Sequence, residues 1–109
     1  MEPRVITWGE IGYANDSQPD TLGLGRKHHG YPVRAHDGVI LWVESYQWKI
    51  LPDGSRELPR YRVVGRIDES RAGELTEQPY PFDKPGEVLE FSSEQEARDL
   101  LIKRAYGRI

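Results

Sequence analysis

Residues 25–38, GRKHHGYPVRAHDG, put three histidines, three basic residues and an aspartate into fourteen positions. The stretch contains all three histidines of the chain, His28, His29 and His36. Its basic residues are Arg26, Lys27 and Arg34. A metal-free ribonuclease uses such a set, because its reaction needs a base, an acid and a cation for the phosphorane charge. Histidines also bind zinc. The third interpretation is a polar contact surface, which needs no special geometry.

Known motifs for metal, nucleotide and acyl chemistry are absent from the sequence. Adjacent histidines such as His28 and His29 do not readily chelate one ion from a regular backbone, and there is no HExxH helix. Gly23, Gly25 and Gly30 do not form a dinucleotide-binding loop, because that motif needs a glycine where the chain has His28. No GxSxG turn occurs, and four serines lack a nucleophile context: Ser17, Ser45, Ser55 and Ser70. We therefore expect no metal, no cofactor and no serine-hydrolase site.

The best-defined element is a β-hairpin. Residues 39–50, VILWVESYQWKI, are apolar throughout the first half and alternate in the second, which predicts a strand covered on both faces at its start. Residues 51–54, LPDG, have turn composition, and residues 58–67 form the return strand. Alternation places three arginines on one face of that strand: Arg60, Arg62 and Arg66. With Trp48 and Arg56 nearby, this arginine face is a second candidate binding surface.

The rest of the chain before the C-terminus predicts short strands and two long loops. Residues 5–8, VITW, are β-branched and aromatic and indicate a first strand. Residues 12–38 and 68–86 lack regular periodicity and are rich in glycine, proline or acids, so we expect loops there. Weak alternation over residues 87–91 predicts a fourth strand.

A C-terminal helix is predicted over residues 93–106. Ser93 and Glu96 have capping-box spacing, and Gly107 stands where a C-cap glycine belongs. The residues that share one face of this helix are Ala97, Leu100, Leu101 and Arg104. We therefore expect a single α+β domain, residues 1–109, in which a small, mostly antiparallel sheet of three or four strands is closed by this helix.

Composition bounds the class of protein. At 109 residues, with 37% hydrophobic and 30% charged residues, the chain supports one domain with a thin core. It has no cysteine, no membrane-length apolar run and no signal-like N-terminus, so we expect a cytoplasmic protein without membrane contact. The net charge is −3, but the charges are unevenly distributed along the chain. Residues 25–66 carry eight basic and four acidic groups, whereas residues 67–90 carry two basic and seven acidic groups.

One family resemblance follows from the order of these elements. A sheet with a DG hairpin, followed by a helix that opens S-x-x-E-A at residues 93–97, resembles the arm-type DNA-binding domains of phage integrases. The resemblance covers residues 39–106 and implies a sheet that enters the major groove of DNA. Two features depart from the family: the acidic residues 68–87 separate the last strand from the helix, and the chain is not basic overall, although DNA affinity depends on phosphate neutralisation.

These observations favour a non-enzymatic interaction module, such as a small inhibitor or accessory protein, that binds a protein partner. The reason is a concentrated basic and aromatic surface without any complete catalytic motif. Nucleic-acid binding by the arginine face and a small metal-independent ribonuclease using the loop histidines are the two alternatives. The expected binding residues are Arg26, Lys27, His28, His29, Tyr31, Arg34, His36, Trp48, Arg56, Arg60, Arg62 and Arg66.

Overall fold

The protein folds into an antiparallel sheet with one helix packed on one face. The computed structural model describes residues 2–12, 27–46, 51–55, 59–68 and 76–109. The strands are β1 (Arg4–Val5), β2 (Lys27–Arg34), β3 (Ile40–Tyr46), β4 (Arg60–Asp68) and β5 (Thr76–Pro79), and the helix is α1 (Glu94–Ala105). Strand order follows chain order, and each neighbouring pair is antiparallel. The predicted α+β class is therefore confirmed, with five strands in the described sheet rather than three or four.

The two strands of the predicted hairpin form the centre of the sheet, and residues 47–50 and 56–58 of that prediction lie outside the described part. β3 and β4 pair without interruption, from Ile40 opposite Arg66 to Tyr46 opposite Arg60. In the described residues 51–55, the Gly54 amide donates to the carbonyl of Leu51 at 2.9 Å, and Gly54 has a φ of 87° that favours glycine. All seven residues of β3 are buried, as expected for a strand covered on both faces.

The histidine-rich stretch is a strand rather than a loop, so the prediction of a loop over residues 12–38 is wrong for residues 27–34. A bulge between His29 and Val33 interrupts the pairing of β2 with β3, and Gly30 within it has a φ of 67°. A bulge shifts the alternation of side chains, so the two-residue period that identifies a strand in sequence is lost here. Residues 13–26 of the expected loop lie outside the described part.

Two further strand predictions need correction. Only Arg4–Val5 of the N-terminal segment is strand, and a 3₁₀ helix at Gly9–Ile11 follows it. The strand expected at residues 87–91 is reduced to one bridge between Phe91 and Tyr61, after a second 3₁₀ helix at Pro85–Glu87. The loop expected over residues 68–86 is wrong for Thr76–Pro79, which form β5 and pair with β4, with Gly65 opposite Gln78. Residues 69–75 of that expected loop lie outside the described part.

Helix α1 is confirmed within one residue at each end. The Ser93 hydroxyl accepts the Glu96 amide at 3.3 Å, which caps the first turn. At the other end the amides of Gly107 and Arg108 donate to the carbonyls of Arg104 and Lys103, and Gly107 has a φ of 71°. Within the described residues no helix has the length and apolar character needed to cross a membrane.

The sheet has a hydrophobic cluster on each face. The face covered by α1 contains Val33, Ala35, Leu41, Val43, Val63, Ala97, Leu101 and Ala105. The opposite face is covered by the N-terminal segment and contains Ile6, Trp8, Ile11, Ile40, Trp42 and Val64. Since β3 contributes to both clusters, it positions side chains on both sides of the sheet.

Candidate functional site

The three histidines occupy three separate environments. His28 is fully buried on the face opposite α1, where its ring stacks on Trp8 with centroids 4.5 Å apart. His29 follows it on β2 and lies on the other face, near the start of α1, because successive strand residues point to opposite sides. His36 lies at the far end of the twelve-residue helix, about 18 Å along its axis, where its amide donates to the Ala105 carbonyl. The sequence cluster therefore does not form one acid–base centre.

His29 is surrounded by polar groups from four elements. We call these residues the His29 cluster: Lys27, His29, Ser45, Tyr61, Glu94 and Arg98. Nε2 of His29 lies 2.6 Å from the Ser45 hydroxyl, and Nδ1 lies 3.7 Å from Oε1 of Glu94. The ring centroid is 5.3 Å from that of Tyr61. An imidazole between a hydroxyl and a carboxylate can exchange a proton with the hydroxyl.

Electrostatics keeps His29 neutral near pH 7. Burial is the main cause that lowers the pKa of His29, and the cations Lys27 and Arg98 lower it further, while Glu94 opposes them. A carboxylate near Nδ1 favours the tautomer with its proton on that nitrogen. Nε2 is then the acceptor for the Ser45 hydroxyl, so the ring is in the protonation state of a general base.

Arg98 holds the carboxylate side of the cluster. Its guanidinium lies 3.5 Å from Oε1 of Glu94, one helical turn away, and donates to the His29 carbonyl at 3.4 Å. A Cβ at Gly30 would lie 2.6 Å from this guanidinium. Glycine at position 30 therefore serves both the bulge of β2 and the approach of Arg98 to the sheet.

The arginine face of β4 exists as predicted, but two of its three side chains are engaged inside the protein. Arg62 lies 3.1 Å from a carboxylate oxygen of the fully buried Glu44, and its guanidinium sits 4.6 Å over the Tyr46 ring. Arg66 donates to the carbonyl of Ile11 at 2.9 Å. Arg60 is exposed. Arg62 therefore links β4 to β3, and Arg66 links β4 to the N-terminal segment.

The other predicted contact residues are dispersed. Lys27 is exposed in the His29 cluster, and Tyr31 is 46% exposed at the bulge. Arg34 is half-buried, and it lies opposite Arg4 in the backbone register of β1 and β2. The predicted contacts that lie outside the described residues are Arg26, Trp48 and Arg56. The sequence-predicted set therefore does not form one surface in the described part of the chain.

A surface that sequence reasoning missed lies at the C-terminal end of α1. We call it the helix-end patch: Ile102, Lys103, Tyr106, Arg108 and Ile109. Its three apolar side chains are 39%, 50% and 58% exposed, in chain order. The Arg108 guanidinium lies 5.0 Å from the centre of the Tyr106 ring. The helical period could have indicated this surface, because Ile102 and Tyr106 do not lie on the helix face that buries Ala97, Leu101 and Ala105.

Metal binding and similarity to known proteins give no independent lead to a site. No group of three or more histidine, aspartate or glutamate side chains that could hold a metal ion occurs in the described ranges. No protein-family model matches the chain, and neither a curated protein nor a solved structure resembles it significantly. The geometry above is therefore the basis for any functional proposal.

Proposed function

We propose that this domain binds a protein partner through the helix-end patch. The observation that carries the proposal is the exposure of Ile102, Tyr106 and Ile109, three large apolar side chains within eight residues. Ile102 and Tyr106 are one turn apart, so they lie side by side on the helix surface. Single exposed apolar residues are ordinary, but grouped ones accompanied by tyrosine and arginine are typical of the centre of an interface.

The charge of the patch indicates the chemistry of the partner. Residues 102–109 contain no acidic side chain. Arg104 is paired with Asp37 at 2.8 Å, whereas Lys103 and Arg108 are exposed. Cations in the last helical turn also stabilise the helix dipole, but that role does not account for the apolar exposure beside them. An apolar surface bordered by carboxylates complements this patch in both respects.

This proposal keeps the class of function expected from sequence and moves the contact surface. The Glu44 carboxylate neutralises Arg62, and the Ile11 carbonyl accepts a hydrogen bond from Arg66, so the arginine face has less charge and fewer donors to offer a phosphate backbone. A ribonuclease whose acid and base are both histidines needs two imidazoles close together, and His28 and His36 lie away from His29. Protein binding at the helix end requires neither.

Site-specific photo-cross-linking tests the proposal. A photoreactive phenylalanine derivative placed at Tyr106 should cross-link one protein, and the product should survive nuclease treatment. The control position is Leu89, which is 45% exposed and lies near Tyr80 instead of the helix end. A product that forms equally from Leu89, or one that disappears with nuclease, contradicts the proposal.

Affinity measurements with the captured partner then test the chemistry. Lys103→Glu should weaken binding about tenfold, equivalent to about 1.4 kcal/mol, since it sets a like charge against the partner's carboxylates. Lys84→Glu is the matched control, because Lys84 is exposed outside the patch. Ile102→Asp should weaken binding by a similar or larger factor. Equal affinities of the Lys103 and Lys84 variants would exclude an acidic partner surface.

A further inference from the structure

We propose that Ser45 is a nucleophile that accepts small acyl groups from esters, with His29 as its general base and Glu94 as the group that orients the imidazole. The inference does not depend on the helix-end patch. It starts from the two ring nitrogens of His29, which face different partners: Nε2 meets the Ser45 hydroxyl at 2.6 Å, and Nδ1 faces Glu94 at 3.7 Å. In a catalytic triad the nucleophile hydroxyl meets Nε2 of the imidazole base, and the orienting carboxylate meets Nδ1. Ser45, His29 and Glu94 are arranged in this order.

The fold holds these groups on rigid elements. Ser45 lies on the central strand β3 between Lys27 of β2 and Tyr61 of β4, and His29 lies opposite Val43 where the β2 bulge begins. Glu94 is the first residue of α1, and the neighbouring Ser93 caps that helix. The helix is anchored through the buried residues Ala97 and Leu101. A site on paired strands and a packed helix needs little reorganisation when it reacts.

Positive charge is available where the reaction would create negative charge. Lys27 is directly opposite Ser45, and residues directly opposite in an antiparallel pair share a face of the sheet. Lys27 is exposed, and its charge acts on His29 together with that of Arg98. An oxyanion that forms on a carbonyl attached to Ser45 would therefore lie in the field of an ammonium group.

The proposed step is a two-stage acyl transfer. The Ser45 Oγ forms a bond to the carbonyl carbon of the ester while its proton moves to Nε2 of His29. The bond from that carbon to the leaving oxygen then breaks, and the leaving alcohol takes the proton from Nε2. Water repeats the sequence on the acyl-serine and returns the free hydroxyl and a carboxylic acid. Ser45 is only 7% exposed, so the acyl group that reaches it must be small.

Labelling with a small alkyl fluorophosphonate tests this inference. Attack by Ser45 forms an O–P bond and releases fluoride, while His29 takes the proton, so the adduct is stable and can be located by peptide mass spectrometry. We expect the adduct on Ser45 and not on Ser55 or Ser92, which are exposed. His29→Gln should slow labelling at least about 100-fold, the usual contribution of a general base. Glu94→Gln should slow it less, and Glu87→Gln, an exposed carboxylate elsewhere, should leave it unchanged.

The pH profile separates a chemical role of His29 from a structural one. Labelling of the folded wild-type protein should rise with pH as the imidazole loses its proton, and in His29→Gln this rise should disappear. Thermal unfolding of each variant shows whether the labelled protein is folded, and we expect Glu94→Gln to fold because Glu94 is exposed at the helix start. No adduct on Ser45 in the folded wild type, or labelling that is indifferent to His29→Gln, would overturn the inference.

Discussion

Replacing Arg62 with methionine should destabilise the fold by about 3 kcal/mol, because it removes a cationic partner of the buried Glu44 carboxylate. Glu44 is fully buried and lies 3.1 Å from the Arg62 guanidinium, whose side chain is 17% exposed. Breaking a buried pair from one side costs about 3–5 kcal/mol. The lower end applies, since Arg62 retains some contact with solvent and Glu44 has further interactions within the protein. Methionine keeps the aliphatic stem beside Tyr46, so little packing is lost.

This loss is large for a chain of this size. An unfolding entropy of about 2.1 cal/mol/K per residue gives about 0.23 kcal/mol/K for 109 residues, so 3 kcal/mol lowers Tm by about 13 °C. Urea unfolding followed by tryptophan fluorescence measures the free energy directly, because Trp8 and Trp42 are buried and become exposed on unfolding.

Two controls test the reasoning about the buried pair. Arg60→Met removes an exposed cation from the same face of β4 and should change the free energy of unfolding by less than about 0.5 kcal/mol. The double variant Glu44→Leu/Arg62→Met should be more stable than Arg62→Met alone, since the buried carboxylate is removed together with the Arg62 guanidinium. A loss below about 1 kcal/mol in Arg62→Met, or an equal loss in Arg60→Met, would refute the assignment of Arg62 to a buried ion pair.

Three further predictions concern titration and backbone geometry. Burial and a hydrogen bond with Glu90 raise the pKa of Tyr46 to about 12, so the free energy of unfolding should fall as pH rises from about 10 toward 12, and less so in Tyr46→Phe. The pKa of His29 is lower in the folded protein than its ordinary value of 6.5, so the free energy of unfolding should fall as pH drops below 6.5. His29→Gln should weaken this dependence, which urea unfolding at several pH values measures. Gly107→Ala should cost about 1–2 kcal/mol in the same assay, because φ is 71° and the new Cβ would lie 2.7 Å from the His36 ring; an unchanged urea midpoint would contradict it.

The hairpin and the C-terminal helix could be predicted from sequence because their signals are local. The apolar run of β3 and the LPDG turn lie within sixteen consecutive residues, and the pairing that they specify joins neighbouring strands. The cap of α1 depends on Ser93 and Glu96, three residues apart. In each case the interaction that decides the structure connects residues close in sequence, so its pattern is visible without knowledge of the rest of the fold.

Strands β2 and β5 could not be predicted because their own sequences lack a strand pattern. Hydrogen bonding to β3 and β4 holds them extended. The bulge at Gly30 removes the alternation of β2, although its pairing with β3 is long. β5 contains only four residues, TEQP, with no apolar alternation, and its register is set by β4. Hydrogen bonding to an established neighbour can hold such segments extended, and that contribution has no signature in a single sequence.

The histidine cluster of the sequence and the His29 cluster of the structure differ for one geometric reason. Adjacency along a strand separates side chains, because His28 and His29 point to opposite faces of the sheet. Pairing between strands instead brings His29 to Ser45, sixteen residues away, and helix packing adds Glu94 from the end of the chain. A site built this way depends on register, so a one-residue slip of β2 would exchange the environments of the two histidines. The residues that act together are therefore those that share a face across β2, β3 and α1, and a search for chemistry in this chain has to follow the sheet rather than the sequence.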